Sequence, residues 1–135
     1  MSLFAILYTA DELSPEQAIA KLFPGQAAPP HELSARASAI KTKNFIREDC
    51  GVAARTQVYF TLDKERSDAA RQALGAAVRA FVASTDGDMV LLYHDTAVVR
   101  RVGAVREYSQ PADFAIPGWN EVANIRLPRD AADGS

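Results

Sequence analysis

The stretch DGDMVLLYHDTAVVRR, residues 86–101, places acidic residues and a histidine around a run of strand-forming residues. Carboxylates and imidazoles bind metal ions and carry out acid–base catalysis. If residues 88–94 form one extended strand, however, Asp88 and His94 lie about 20 Å apart, at roughly 3.3 Å per residue. His94 and Asp95 are neighbours, and a strand points neighbouring side chains to opposite faces. We therefore predict a hairpin with polar ends and no metal site.

The single cysteine, Cys50, is the only thiol that could act as a nucleophile. Pairing with His31 or His94 is compositionally possible, but Cys50 follows acidic residues and precedes no helix start that would lower its pKa. The acidic pairs at 11–12 and 48–49 flank predicted elements, where solvated charge is expected. No Gly-rich loop is followed by Lys-Ser or Lys-Thr to hold a phosphate. We predict no catalytic residue, no cofactor and no metal.

The composition is that of a globular chain: 135 residues, 48% apolar and 24% charged. A net charge of −2 provides no basic stripe for nucleic acid. The N-terminus lacks the basic start of a signal peptide, and no window approaches the roughly 20 apolar residues of a membrane helix. We predict a cytoplasmic protein without membrane contact. One domain is expected over residues 1–129, followed by a disordered tail over residues 130–135.

Hydrophobic spacing predicts the first half of the chain as a strand over residues 2–9 and a helix from Pro15, with Ser14 as its cap. Alternating apolar residues over 52–62 predict a half-buried strand. Residues 34–50 fit either a short helix followed by a strand or an irregular connection, and periodicity does not decide between the two.

In the second half, apolar residues at three- and four-residue steps predict a helix over residues 67–84. A buried strand over 89–93 and one or two strands over 97–108, broken near Gly103, follow. The predicted class is α+β, with a mostly antiparallel sheet and two main helices packed on one face.

Tyr59 falls on the polar face of its predicted strand, beside Arg55 and Gln57. Tyrosine and arginine are enriched at the centres of protein interfaces. Such a row is typical of a binding surface, although a solvated sheet face has the same pattern. We predict Arg55, Gln57 and Tyr59 as partner contacts, with Arg100 and Arg106 on the last strands as further candidates.

Two stretches, SLFAILYTADELSPEQAI (residues 2–19) and residues 61–101, resemble bacterial immunity proteins of the Sit (swarm inhibition toxin) type, which occur beside polymorphic toxins in myxobacteria. The second stretch has a strand ending in Leu-Asp-Lys, an Ala-rich helix, Gly-Asp, a VLL-aromatic strand and a Val-rich strand. Its turn is His94-Asp95-Thr96 where Asn-Gly is expected, and the C-terminal third departs further. The resemblance implies a cytoplasmic, non-enzymatic protein that binds and neutralises one toxin, and it transfers no site residue.

Three hypotheses stand at this point. The first is an immunity protein that neutralises a cognate toxin by steric occlusion, as a monomer or homodimer. The second is a small α+β enzyme or ligand-binding protein with a pocket near His31 and His94. The third is an assembly subunit that associates with itself through an edge strand.

Overall fold

The computed structural model describes residues 3–41 and 44–133. The strands are β1 (Leu3–Thr9), β2 (Leu33–Ala39), β3 (Thr56–Leu62), β4 (Met89–Tyr93), β5 (Thr96–Val102), β6 (Val105–Tyr108) and β7 (Asn120–Glu121). The helices are α1 (Pro15–Leu22), α2 (Asn44–Cys50), α3 (Ser67–Ser84) and α4 (Pro128–Asp133), with 3₁₀ turns at Lys64–Arg66 and Ala112–Phe114.

The strands form a single sheet in the order β2-β3-β1-β4-β5-β6-β7. Every pairing is antiparallel except that of β6 with the two-residue strand β7. The predicted α+β class, with a mostly antiparallel sheet and two main helices on one face, is confirmed. The two strand edges of the sheet, β2 and β7, differ greatly in length.

The main core lies between one face of the sheet and the helices α1 and α3. Helix α1 begins at a capping box: the Ser14 hydroxyl accepts a hydrogen bond from the Gln17 N–H at 3.1 Å, and the Gln17 side chain accepts one from the Ser14 N–H at 2.9 Å. Helix α3 buries a stripe at helical spacing. The stripe consists of Ala70, Leu74, Ala77, Val78 and Phe81. It packs on strand residues that include Leu7, Phe60 and Leu91.

In two regions the observed elements differ from those that the sequence patterns predict. The undecided segment 34–50 contains strand β2 followed by helix α2, the reverse of the helix–strand order considered. The strand predicted over 52–62 begins only at Thr56, so its predicted start is wrong. Val52 and Ala54 are buried, but they belong to a second core cluster, and a bend joins them through a 2.8 Å bond from the Ala54 N–H to the Val52 carbonyl. Because they are buried two residues apart, they give the same alternating sequence pattern as a strand.

The second core cluster covers half of the other face of the sheet. Helix α2, the bend after it and the C-terminal segment pack there on β4 and β5. The buried members are Cys50, Val52, Ala54, Val90, Leu92, Ala97, Ile125 and Leu127. Part of the expected tail, through residue 133, is described as helix α4, while residues 134–135 lie outside the described residues. The division into one domain and a tail stays a prediction.

The hairpin expected from the opening stretch is formed by β4 and β5. Tyr93 pairs with Thr96 across it, so His94 and Asp95 are the two turn residues. Both have positive φ, 50° and 65°, as a type I′ turn requires. Asn-Gly is the usual sequence for this turn, and Asp is among the residues other than glycine that best tolerate positive φ.

A buried arginine connects this hairpin to the end of helix α3. Arg101 is 3% exposed and donates hydrogen bonds to the carbonyls of Val82 and Gly87, both at 3.0 Å, and to the Thr85 hydroxyl at 2.9 Å. Two of these acceptors lie beyond the last helical residue, so the guanidinium fixes the chain as it leaves α3. Burial lowers the pKa of Arg101 from its ordinary value, and the three bonds compensate for the loss of water.

The close approach of the Asp113 backbone to Gly75 predicts the effect of Gly75→Ala. A Cβ at Gly75 would lie 2.0 Å from the Asp113 carbonyl oxygen, because the 3₁₀ turn at Ala112–Phe114 rests directly on α3. Replacing glycine by alanine within a helix ordinarily stabilises it by up to about 1 kcal/mol. Here we expect a loss of about 1–3 kcal/mol from overpacking, measured by chemical denaturation. The control Ala76→Gly, at an exposed neighbour, should cost about 1 kcal/mol. Stabilisation by Gly75→Ala would contradict this contact.

The second cluster predicts a loss of stability at alkaline pH. Burial is the largest cause of the raised pKa values of Cys50 and Tyr8, whose ordinary values are 9.0 and 10.0. The unfolded chain therefore releases these protons at lower pH than the folded chain does. The contribution of these two groups to the free energy of unfolding should be constant below the ordinary pKa of Cys50 and fall as pH rises through the folded values.

The variant Cys50→Ala isolates the contribution of the thiol to this pH dependence. Between about pH 8 and pH 10, we expect the stability of the wild type to fall more steeply than that of Cys50→Ala in denaturation curves. Equal slopes for the two proteins would show that the thiol is not buried as described.

Candidate binding face

The alternation of β3 positions the candidate binding residues. Val58, Phe60 and Leu62 point to the helices, so Gln57, Tyr59 and Thr61 point to the other face of the sheet. On this side β1, β2 and β3 lie beyond the second core cluster. We call the exposed half of this sheet face the open face. It consists of Phe4, Ile6, Ser34, Arg36, Ser38, Gln57, Tyr59 and Thr61.

Aromatic stacking holds the centre of the open face. Tyr59 is 43% exposed, yet its ring stacks on that of Phe4 with centroids 5.9 Å apart and planes 4° from parallel. His94 meets the Phe4 ring edge-on at 5.5 Å and the Tyr93 ring at 4.7 Å. Such offset and edge-on contacts are the favourable geometries for aromatic pairs. Tyr59 is therefore supported from below while much of its surface remains open to a partner.

The rest of the open face is polar. The Gln57 amide donates a hydrogen bond to the Ser38 hydroxyl at 3.3 Å, and Arg36 lies directly across from Tyr59 on β2. Within residues 3–41 and 44–133, Arg36 makes no ion pair. A depression of about 500 Å³ runs between the two strands. Its lining residues are Ser34, Ala35, Arg36, Ser38, Gln57, Tyr59 and Thr61.

Of the predicted contact residues, Gln57 and Tyr59 lie together on the open face. Arg55 precedes β3 and sits at the margin, where its Nη1 is 3.3 Å from Glu12 Oε2. Both side chains of this ion pair are more than half exposed, 54% and 81%, so solvent screening makes it weak. Arg55 is therefore available to a partner at little cost.

The structure does not bring Arg100 and Arg106 to the open face. Arg100 is 2.6 Å from Glu107 and donates to the Arg126 carbonyl at 2.8 Å, so it connects β5 to the C-terminal segment. Arg106 lies opposite the buried Arg101 and hence on the helix side of the sheet. As partner contacts these two arginines stay predictions.

Sequence reasoning missed Phe4 and Arg36 as members of the open face, and His94 as a contact of Phe4 at its end. Phe4 lies in a run of apolar residues that looks fully buried, although its neighbours Ala5 and Leu7 face the helices. In β2, Ser34, Arg36 and Ser38 alternate with alanines. That two-residue period is a strand signal, but it is hard to recognise because alanine is neither strongly apolar nor a strand former.

The alternative hypothesis placed a ligand pocket near His31 and His94, but the two histidines belong to separate parts of the sheet. His94 follows β4, whereas His31 precedes β2, and β3 and β1 lie between these strands. Neighbouring strands are about 4.8 Å apart, which places β2 and β4 about 14 Å from each other. The contacts of His94 are the rings of Phe4 and Tyr93. In the described part of the chain, no group of three or more His, Cys, Asp or Glu residues could hold a metal ion.

Comparisons with known proteins identify the family. The SitI3-like family matches residues 6–113, which include the second half of β1, strands β2 to β6, both main helices and every residue of the open face except Phe4. No curated protein and no solved structure matches the chain. No helix within the described ranges is long and apolar enough to cross a membrane. Sit immunity proteins are typically non-catalytic, and membership of this family implies a cognate toxin as partner. The chain belongs to the SitI3-like family of immunity proteins.

Proposed function

We propose that the chain neutralises its cognate toxin by binding it through the open face and blocking it sterically, without a chemical step. The observation that carries the proposal is the exposed Tyr59 ring held on Phe4. Rigid, partly exposed aromatic residues are the usual energetic centres of protein interfaces. The encounter is expected in the cytoplasm, with the chain as a monomer or homodimer before it binds.

The packing of the remaining sheet surface supports this choice of face. Helices α1 and α3 pack on one side of the sheet, and the second core cluster covers part of the other. The open face remains, and its residues come from three neighbouring strands paired in regular register. A preformed surface loses little conformational entropy on binding, because the strands and the stacked rings are already ordered.

The polar residues around Tyr59 fit an interface rim. Arg55 and His94 lie at opposite ends of the open face, and Gln57 lies beside Tyr59. A standard interface buries roughly 800 Å² on each partner, with apolar anchors in the centre and polar residues outside. We therefore propose Tyr59 as the anchor, with Gln57 and Arg55 as polar contacts.

The variant Tyr59→Ala tests the anchor. Loss of an aromatic residue at the centre of an interface typically costs about 2–4 kcal/mol, so we expect the Kd for the toxin to rise by about 30- to 1,000-fold. The toxin probe is the product of the gene beside this one, first shown to arrest growth when expressed alone. Titration calorimetry gives the Kd, and co-expression gives the rescue of growth, which Tyr59→Ala should lose.

Val105→Ala is the matched control. Val105 is 45% exposed and, with Tyr59, is one of the two exposed large hydrophobic residues in the described part of the chain. It lies on β6, away from the open face, so its truncation should change the Kd less than about twofold. If Tyr59→Ala keeps wild-type affinity and still rescues growth, the open face is not the toxin-binding site.

A further inference from the structure

Strand β2 is an unusually open sheet edge. It is the terminal strand of the sheet, is seven residues long and contains neither proline nor a bulge. The strand at the other edge, β7, has only two residues. Proteins ordinarily protect long edge strands with bulges, prolines or several charges. Arg36 is the single charged residue in β2.

The hydrogen-bond pattern shows which groups this edge exposes. The Ile40 N–H donates to the Arg55 carbonyl and the Glu32 carbonyl accepts from Asp63, both at 2.9 Å, so even-numbered residues bond to β3. Antiparallel strands alternate between bonding inward and pointing outward. The N–H and C=O groups of Ala35, Ala37 and Ala39 therefore point away from the sheet. Among the described residues, these three alanines have no hydrogen-bond partner at that edge.

Outward-pointing groups on alternate residues repeat at roughly 6.8 Å, the spacing of a second extended peptide. The exposed polar side chains of β2, which are Ser34, Arg36 and Ser38, all lie on the open face. A strand added to β2 would thus continue the proposed toxin-binding surface without a break. Recognition by strand addition relies on the backbone for affinity and on alternate side chains for specificity.

Charge favours the toxin over a second copy as the source of that strand. The open face includes one cation, Arg36, and no carboxylate. An acidic side chain across from Arg36 would supply the missing partner, whereas a second copy would bring another Arg36 to the same edge. We propose that an extended segment of the toxin pairs with β2 as an eighth strand and places an acidic residue opposite Arg36. This inference rests on the proposed function, because it names the part of the toxin that the open face engages.

The variant Ala37→Pro tests the pairing. Proline removes the outward N–H of Ala37 and leaves the bonds of β2 to β3 in place, and edge strands tolerate proline at such positions. We expect the Kd for the neighbouring gene product to rise about tenfold or more. The control Ala37→Ser keeps the N–H and should stay within about twofold. Thermal unfolding of both variants shows that they fold.

Equal affinity of Ala37→Pro and Ala37→Ser would overturn the pairing. If Tyr59→Ala still weakens binding in that case, the proposed function stands and only the added strand is lost. If Tyr59→Ala has no effect either, both fail.

If the proline variant does not fold, amide exchange in the wild-type chain tests whether a toxin segment pairs with β2. The amides of Ala35, Ala37 and Ala39 should exchange at least about tenfold more slowly in the toxin complex, while those of Ser34, Arg36 and Ser38 are already slow in the chain alone. Unchanged exchange of the three alanines would overturn the inference. Their protection by rising concentration of the chain alone, without toxin, would assign the edge to a second copy and also overturn it.

Discussion

The register of β3 between β1 and β2 determines which side chains face the helices and which face outward. Phe60 lies opposite Ala5 and Ala35, and all three face the helices; Tyr59 lies opposite Ile6 and Arg36, and these face outward. A slip of one residue would move each set to the wrong side of the sheet. Burial of Phe60 in the main core therefore also fixes the exposure of Tyr59. The stability of the core and the geometry of the open face have the same cause.

Unequal coverage of the sheet gives this register a functional consequence. The helix side is closed by contacts at several points along α3: Arg71 pairs with Asp113 at 2.6 Å, Arg79 donates to the Asp113 carbonyl at 2.9 Å, and Arg101 binds the helix end. The opposite side is covered only where helix α2, the bend after it and the C-terminal segment pack on β4 and β5. Strands β2 and β3 remain uncovered there. Among the described residues, the exposed part of this side is thus the open face.

Sequence patterns predicted helices and strands correctly where the apolar residues followed either helical spacing or strand alternation clearly. Helix α3 and the capped start of α1 were predicted closely, and the alternation of β3 placed Gln57 and Tyr59 on the outward face. Strand β2 was missed because alanine gives no clear apolar signal at its inward positions. Val52 and Ala54 extended the predicted strand falsely, since their burial comes from a different core cluster.

The partners of charged side chains were also beyond sequence reasoning. Whether an arginine contacts a partner depends on what else it contacts in the fold, and long-range pairs are not visible in local spacing. Arg100 is held by Glu107 and by a carbonyl 26 residues further along the chain, whereas Arg36 has no ion pair among the described residues. The stacking of Phe4 on Tyr59 joins residues 55 positions apart and depends on the register of β1 and β3.

Oxidative footprinting of Tyr59 in the toxin complex would show whether the toxin covers the open face. The rate of Tyr59 oxidation would be measured by mass spectrometry for the chain alone and with saturating toxin, with the exposed Val105 as internal reference. If the toxin binds the open face, Tyr59 should be strongly protected on binding, and the rate at Val105 should not change. An unchanged rate at Tyr59 in a complex that still neutralises the toxin would show that the toxin binds elsewhere.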